Sequence, residues 1–445
     1  MLITADQNKS EPLSEALFEV PRVAEARYPS PLKLSEQVGD LIANYTTDHT
    51  RQLLDPTIST IPPQGPQLSF ELAGPRAQIA YRPDELHAAI VTRGGLCPGL
   101  NDVIRALVGC LWWRYGVKKI SGVRYGYQGL SPHADPQPIS LSPQVVEHIH
   151  HVGGSILGSS RGSRPLDEMV TLLQSLKVNL LFCIGGDGTM RGATALAEAA
   201  QRAGVELAVV GVPKTIDNDI PFVEQTFGFE TAVSVASEAI KAARVEASGA
   251  LNGVGVVKLM GRHAGFIAAT AALTARVADL VLIPEQPLEL GSTNGSRGVL
   301  PYLSRRLSER GEAVVVVAEG VGQGTIVEAT GVDPSGNAKL GDVGPALKAT
   351  LQRALPHASV RYIDPSYMIR ATTARGADAM YCARLAEDAV HAAMSGRAEL
   401  LIGRWGGAHV HVPFKLLKGR SKRLDLDGPL WRSLLDATGQ PHTLT

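Results

Sequence analysis

The chain has 445 residues, 44% hydrophobic and 19% charged, with 43 Lys and Arg balanced by 43 Asp and Glu. That composition excludes a disordered chain and any bulk field drawing in nucleic acid or an anionic membrane, so anion binding has to come from local sites. The length predicts two or three domains at roughly 100–200 residues each.

The four cysteines, Cys97, Cys110, Cys183 and Cys382, form no CxxC pair. They speak against a disulfide framework or a zinc site and for a reducing cytoplasm. No apolar run approaches the roughly 18 residues of a membrane span. Acids at Asp6, Glu11, Glu15 and Glu19 fit neither a signal peptide nor a transit peptide.

Residues 1–85 hold many prolines, including Pro29, Pro31, Pro62, Pro63 and Pro66, and are expected to wrap a domain as an extension. After them, short apolar runs alternate with amphipathic stretches. Ala88–Thr92 reads as a strand and Leu100–Tyr115 as a helix. Leu180–Ile184 and Leu207–Val212 read as strands flanking a helix over Ala193–Ala203. Phe229, Val233, Ala236 and Ile240 recur at helical spacing, and Val254–Leu259, Leu280–Ile283 and Ala313–Ala318 read as further strands. Strands apolar on both faces, alternating with helices, predict an α/β fold with two parallel sheets covered by helices. Ligands in such folds sit beyond the carboxyl ends of the strands.

Three glycine-rich turns occupy such places: Thr92-Arg93-Gly94-Gly95-Leu96-Cys97-Pro98-Gly99-Leu100-Asn101, Gly153-Gly154-Ser155-Ile156-Leu157-Gly158-Ser159-Ser160-Arg161, and Gly185-Gly186-Asp187-Gly188-Thr189. Glycine lets backbone N–H groups approach phosphate oxygens, although glycine also serves tight turns with no ligand. No GxxxxGK[ST] loop is present. Asp187 could be a helix N-cap; beside phosphates it would hold Mg²⁺, which takes one or two carboxylates plus phosphate oxygens.

The segment Pro213-Lys214-Thr215-Ile216-Asp217-Asn218-Asp219 follows a strand. Two carboxylates two residues apart in extended backbone face one side. One can accept a hydroxyl proton while the other supports a metal, and Lys214 with Mg²⁺ can neutralise charge, which is most of what phosphoryl transfer requires. A polar turn with Asx caps is the alternative reading.

From about Ala73 to Pro441 the chain resembles the phosphofructokinase family. GGLCPGLN, GSILGSSRG, GGDGT, PKTIDND, FGFETA, VVKLMGRHAGFIA, LIPE, AEG and IDPSYMIR stand in family order. The segment AGPRAQIAYRPDELHAAIVT and the tail GPLWRSLLDATGQP are similar to the plant-type, ATP-using branch, which is related to pyrophosphate-using enzymes. The resemblance implies two Rossmann-like αβα sandwich lobes: a nucleotide-binding lobe from 86–228 plus 371–445, and a sugar-phosphate-binding lobe over 229–370. It implies a cytoplasmic, allosteric glycolytic enzyme, a homo-oligomer (dimer or tetramer), with Mg²⁺ as cofactor. Its substrates would be ATP and fructose 6-phosphate, with transfer to the sugar O1.

The same resemblance implies residue roles. Gly95, Tyr125, Arg161 and Gly188 would line the nucleotide, with Gly186 and Thr189 of the same turn, and Asp187 would bind Mg²⁺. Asp217 would be the base, Thr215 would orient the phosphoryl group, and Asp219 would support Asp217 and the metal. Met260, Gly261 and Arg262 would grip the sugar, Arg262 also neutralising transition-state charge, and Glu319 would accept from sugar hydroxyls. Tyr367 and Arg370 would hold the 6-phosphate, joined by Arg361 of a neighbouring subunit.

Gly253 stands where bacterial members carry an arginine nine residues before the MGR arginine, and Tyr367 where they carry histidine. The bacterial effector site is therefore not carried over. Lys214 is shared with pyrophosphate users, whereas Gly188 departs from their aspartate; the combination points to ATP. A different phosphorylated ketose as acceptor stays open. A non-catalytic regulatory subunit is disfavoured because Asp187, Asp217 and Asp219 are all present.

His148, His150 and His151 are expected to be a solvated helix end, and His409 and His411 packing or surface residues on a strand. The basic run Lys415, Lys418, Arg420, Lys422 and Arg423 is expected to be solvated, with an anionic-effector contact as the lesser reading. Cys97 would be redox-sensitive only if exposed.

Overall fold

A computed structural model describes residues 2–5, 10–57, 67–293, 295–332 and 339–444. Pro62, Pro63, Pro66 and Asp6 lie outside the described residues. The chain forms a mixed α/β structure around two sheets. The larger sheet has nine strands, in the order Arg51–Leu53, Ser69–Leu72, Ala408–Pro413, Leu400–Trp405, Ala208–Pro213, Leu180–Gly185, His87–Thr92, Lys119–Val123 and Ile139–Ser140. Its five central strands, from Leu400–Trp405 to Lys119–Val123, run parallel. The smaller sheet has four parallel strands, in the order Leu280–Leu282, Glu312–Ala318, Gly253–Leu259 and Ser359–Ile363.

The strand alternation explains the layers. Ala88, Ile90, Phe182, Ile184, Val210 and Val212 point into one buried cluster; Ala89, Val91, Leu181, Cys183 and Val209 point into another. Successive strand side chains face opposite sides, so both faces of the large sheet need helices. The first cluster runs on into the small sheet, making one continuous core across both lobes.

The expected strands agree with the observed ones to within about a residue at each end. Two helices differ. The segment expected over Leu100–Tyr115 is α-helical to Gly109 and then widens to a π-helical turn over Cys110–Tyr115, ended by Gly116 at φ +85°. The helix expected from Ala193 starts at Asp187, with Gly186 as its N-cap. Glycines 186, 188 and 192 disguise that start, because they read as a loop. The helix terminus therefore coincides with the third glycine turn.

The N-terminal extension adds strands rather than only covering the body. Leu2–Ala5 pairs antiparallel with Arg420–Arg423. Arg51–Leu53 and Ser69–Leu72 lengthen the large sheet. Asp48 Oδ1 accepts from Arg76 Nε at 2.7 Å and Arg397 Nη2 at 2.6 Å, and Glu71 pairs with the same two guanidiniums. Buried charges of this kind persist only when paired. The tail crosses to the small sheet: the helix Pro429–Thr438 packs on the helix Phe266–Ala275, and the Gln440 side chain binds the Val281 backbone N–H at 2.7 Å.

The basic run departs from expectation. Lys415 and Lys418 are exposed, but Arg420 and Lys422 alternate inward and are buried. The second half of the run, Arg420–Arg423, is a paired strand, which its charge conceals. His409 and His411 are buried, with His409 Nδ1 bonded to Asp388 at 2.6 Å. Cys97 is buried and its thiol pushed up to about 12 by burial, the opposite of a reactive cysteine. Among the described residues no helix is long and apolar enough to cross a membrane.

Candidate active site

The order of the five parallel strands reverses between His87–Thr92 and Leu180–Gly185. Their carboxyl ends open a crevice, the position where α/β sheets bind ligands. Thr92 lies opposite Ile184 and Pro213 opposite Gly185. Three segments therefore meet there: Arg93–Gly99, Gly186–Thr189 and Lys214–Asp219.

The first turn is held from two sides. Arg93 N–H donates to the Ile184 carbonyl and Gly94 N–H to the Ser160 carbonyl, each at 3.0 Å. Lys214 is buried, and its Nζ donates to the Gly95 carbonyl at 2.6 Å. Burial lowers the Lys214 pKa, with Cys97 and Asp217 opposing and Arg370 and Arg161 adding to the fall. The lysine expected to neutralise a transferring phosphoryl group thus also pins the glycine turn.

The third turn opens a helix, whose free N–H groups and dipole favour an anion. Asp187, in the first helical turn, is half-exposed and bonded to Arg191 at 2.6 Å. Burial raises its pKa; Asp219 adds to this while Arg191 opposes it. Thr189 is buried, and its carbonyl accepts from Tyr127 Oη at 2.8 Å, so it builds the turn from below. A Cβ at Gly188 would lie 3.3 Å from Arg93 Nη1 and 3.8 Å from Arg191 Nη2. Gly188 therefore faces two guanidiniums.

Asp217 sits on a loop braced by Asn218. Asn218 takes the left-handed conformation at φ +54°, accepts from Thr226 N–H at 3.0 Å and donates to the Glu224 carbonyl at 3.2 Å. Asp217 N–H donates to Thr215 Oγ1 at 3.1 Å. The Asp217 Oδ1 atom is buried without a hydrogen-bond partner. Burial pushes its carboxyl well above the ordinary range, Asp219 and Glu319 raise it further, and Arg370 and Lys214 pull it back. A desolvated carboxylate among like charges is a stronger base than a solvated one.

The small sheet supplies the opposite wall. Leu259 and Ala318 end adjacent strands, followed by Met260-Gly261-Arg262 and by Glu319. Glu319 N–H bonds the Leu259 carbonyl at 2.9 Å and Gly320 N–H the Gly261 carbonyl at 3.2 Å, locking the two turns together. Gly261, at φ +128°, closes on the Ala264 carbonyl, which a side chain would strike. Arg370, on the helix Ser366–Ala371, donates through Nε to Met260 Sδ at 3.2 Å. Through Glu319 and Arg370 the small-sheet side acts on Asp217, which the large-sheet side carries.

Three expected residues are exposed to solvent. Arg361, on an edge strand of the small sheet, is exposed, and Tyr367 is 84% exposed. Tyr125 is left-handed at φ +54°, 44% exposed, and packed where a Cβ on Gly158 would have to be. The Arg161 carbonyl accepts from Arg93 Nη2 at 3.0 Å.

Several residues around the crevice carry no local sequence signal for their role. Arg93 lies within the first glycine turn, but one arginine in a turn carries no pattern. Glu285, within LIPE, accepts from Gly265 N–H at 3.0 Å and Leu424 N–H at 2.8 Å, fixing the turn after Leu259 against the tail. Lys422 reaches the Val223 and Glu224 carbonyls at 2.6 and 3.0 Å from a distant strand, a contact without local signal. Asp378 binds Gly228 N–H at 3.0 Å and Thr231 N–H at 2.6 Å, occupying the N-terminus of the Phe229–Ser248 helix.

The donors suit a hard cation held partly by phosphate. Asp187 and Asp219 offer oxygens at one end of the crevice, and among the described residues no group of three or more acids, histidines or cysteines could hold a metal alone. That pattern fits Mg²⁺, which is bound by one or two carboxylates with substrate phosphates.

Comparison with known proteins places this crevice in context. The phosphofructokinase family model matches residues 87–393. The chain is 47% identical over 434 residues to an ATP-dependent 6-phosphofructokinase of Amycolatopsis methanolica, covering 94% of each chain. It is 42% identical to one of Trypanosoma brucei brucei, covering 98% of this chain and 90% of that one. ATP-dependent 6-phosphofructokinase 7 of Arabidopsis thaliana is 43% identical over 85% of this chain and 79% of its own. Among solved structures, a pyrophosphate-dependent phosphofructokinase of Marinobacter aquaeolei superposes with a TM-score of 0.65 at 21% identity, covering 79% of this chain and 91% of that one. That likeness speaks for the shared fold alone.

Proposed function

The chain belongs to the phosphofructokinase family, and on that premise we propose that it is an ATP-dependent 6-phosphofructokinase, forming fructose 1,6-bisphosphate and ADP in glycolysis. The observation that carries the reading is Asp217: a desolvated carboxylate with an unpartnered buried oxygen, where a phosphate-binding crevice meets a second lobe.

In this reading ATP lies along the large-sheet crevice, its phosphates against Gly95, Gly186, Gly188 and the helix start, with Tyr125 and Arg161 at the rim. Fructose 6-phosphate lies against Met260, Gly261, Arg262 and Glu319. Asp217 takes the proton from the sugar O1 as O1 bonds to the γ-phosphorus, and the bond to the β–γ bridging oxygen breaks to release ADP. Thr215 and Asp219 hold Asp217 and the phosphoryl group in register. Arg262 and Lys214 offset the charge that develops in flight. Mg²⁺, held by Asp187 and Asp219, neutralises phosphate charge when bound. Arg370 and Tyr367 receive the 6-phosphate.

Exposure of Arg361 on an edge strand and of Tyr367 on the helix Ser366–Ala371 supports sites completed by a second subunit, hence a homo-oligomer. A cytoplasmic location suits the buried free thiols. The test is product identity: with Mg-ATP and fructose 6-phosphate, phosphorus NMR should show one 1,6-bisphosphate per ADP. Hydrolysis of ATP without sugar phosphorylation would refute the reading.

A further inference from the structure

The side of the ATP crevice facing Gly188 carries a cation whose environment is built around it. The Arg93 guanidinium stacks over the Tyr127 ring, 5.2 Å to its centroid. Tyr127 is itself fully buried and fixed by its bond to the Thr189 carbonyl at 2.8 Å, in the first turn of the phosphate-facing helix. One guanidinium arm is tethered, Nη2 to the Arg161 carbonyl at 3.0 Å. The Nε atom is buried with no hydrogen-bond partner. No carboxylate among the described residues pairs with Arg93, whereas the neighbouring Arg191 is held by Asp187 at 2.6 Å.

The free arm, Nη1, points over Gly188, 3.3 Å from the site of a Cβ. A guanidinium partly taken out of water, preorganised by an aromatic plane and left without its counter-anion is an anion site awaiting a ligand. Its place, between the two strands where the sheet order reverses, is where a donor's phosphate chain must pass.

We propose that Arg93 is a ligand of the donor's phosphate chain, with Tyr127 as its positioning platform, and that Gly188 specifies the donor by leaving this cation uncompensated. The inference rests on the ATP-dependent reading above. It also changes the physics of position 188. An aspartate there would meet two cations before it met a phosphate, so its carboxylate would occupy Arg93 and withdraw it from the nucleotide. Exclusion of ATP by such an aspartate is then competition for an arginine, more than bulk or repulsion.

A double-mutant cycle on the full-length enzyme tests this. Arg93→Gln should raise the KM for Mg-ATP about 10–100-fold, the range for losing a charge-assisted hydrogen bond. The KM for fructose 6-phosphate and the melting temperature should stay near wild type. Arg93→Lys, which keeps the charge but loses the fork, should fall between the two. Gly188→Asp should also raise the KM for Mg-ATP, but by a markedly smaller factor when introduced into Arg93→Gln, because its target is gone.

An unchanged KM for ATP in Arg93→Gln would overturn the proposal, as would Arg93→Lys no better than Arg93→Gln. Equal losses for ATP and fructose 6-phosphate would overturn it too, as would independent factors in the cycle. Wild type serves as the separating control: if it does not use ATP, the functional reading fails; if it does and these patterns are absent, only the role of Arg93 fails.

Discussion

Lys214 Nζ donates to the Gly95 carbonyl across 2.6 Å, joining the Asp217 loop to the first glycine turn through a buried ammonium. The same charge helps hold down the pKa of Asp217. Lys214→Met would leave the carbonyl without this donor, at about 1–3 kcal/mol, and would let the Asp217 pKa rise. The base would then be protonated to a higher pH. The acid limb of the kcat/KM profile should therefore move upward in Lys214→Met. A pH–rate profile with an unmoved acid limb would separate Lys214 from the base.

Asp217→Asn keeps the shape and removes the proton acceptor. Turnover should fall by roughly 10²–10⁴-fold with little change in either KM. Its stability should move the other way. The folded protein holds this carboxyl above its ordinary value of 3.8, so between the unfolded and folded pKa values the native state binds more protons than the unfolded chain. Stability is therefore lost as pH rises through that window. The asparagine variant escapes the penalty, and at pH 7 its melting temperature should be higher by roughly 1–3 °C. Thermal melts of both proteins, with steady-state rates, check the pair of effects.

Much of this site was legible because its parts are local. A glycine turn or a Lys-Thr-Ile-Asp-Asn-Asp segment after an apolar strand lies at a carboxyl edge in any parallel sheet, so sequence order alone places Gly95, Asp187 and Asp217 in one crevice. The hidden parts depend on contacts between distant segments. Lys422 looks solvated until the strand Arg420–Arg423 pairs with Leu2–Ala5 and turns alternate side chains inward. Arg93 gains meaning only from Tyr127 and from the helix that begins at Asp187. The glycines around that start read as a loop and conceal it.

Lys422 offers a second test of the long-range scaffold. Its Nζ donates to the carbonyls of Val223 and Glu224, just beyond Asp219, and burial pulls its pKa down to about 7. The unfolded lysine titrates near 10.5. Between these values the unfolded chain binds more protons, so this group's contribution to stability rises with pH from about 7 toward 10.5. Lys422→Met should destabilise the protein by about 1–3 kcal/mol through the stranded carbonyls. It should also remove that upward slope. Denaturant titrations of both proteins at pH 7 and pH 9 should give a larger difference at pH 9; a difference that does not grow with pH would contradict the assignment.

Arg361 lies exposed on an edge strand of the small sheet, and Tyr367 lies exposed on the helix Ser366–Ala371. If a neighbouring subunit brings Arg361 to the 6-phosphate, Asp217→Asn and Arg361→Ala damage different halves of a shared site. Each homo-oligomer should be nearly inactive, and co-refolded mixtures should regain up to about a quarter of wild-type activity if dimers mix at random. Verified mixed oligomers with no recovered activity would assign Arg361 to another role.

ATP as the phosphoryl donor of this crevice is open to direct measurement. The most direct measurement is kcat/KM of the wild-type enzyme for Mg-ATP and for Mg-pyrophosphate, at saturating fructose 6-phosphate and fixed free Mg²⁺. With Gly188 open and Arg93 uncompensated, ATP should be preferred by at least about 100-fold, the worth of two or more charge-assisted contacts. Comparable rates with the two donors, or a preference for pyrophosphate, would contradict the account.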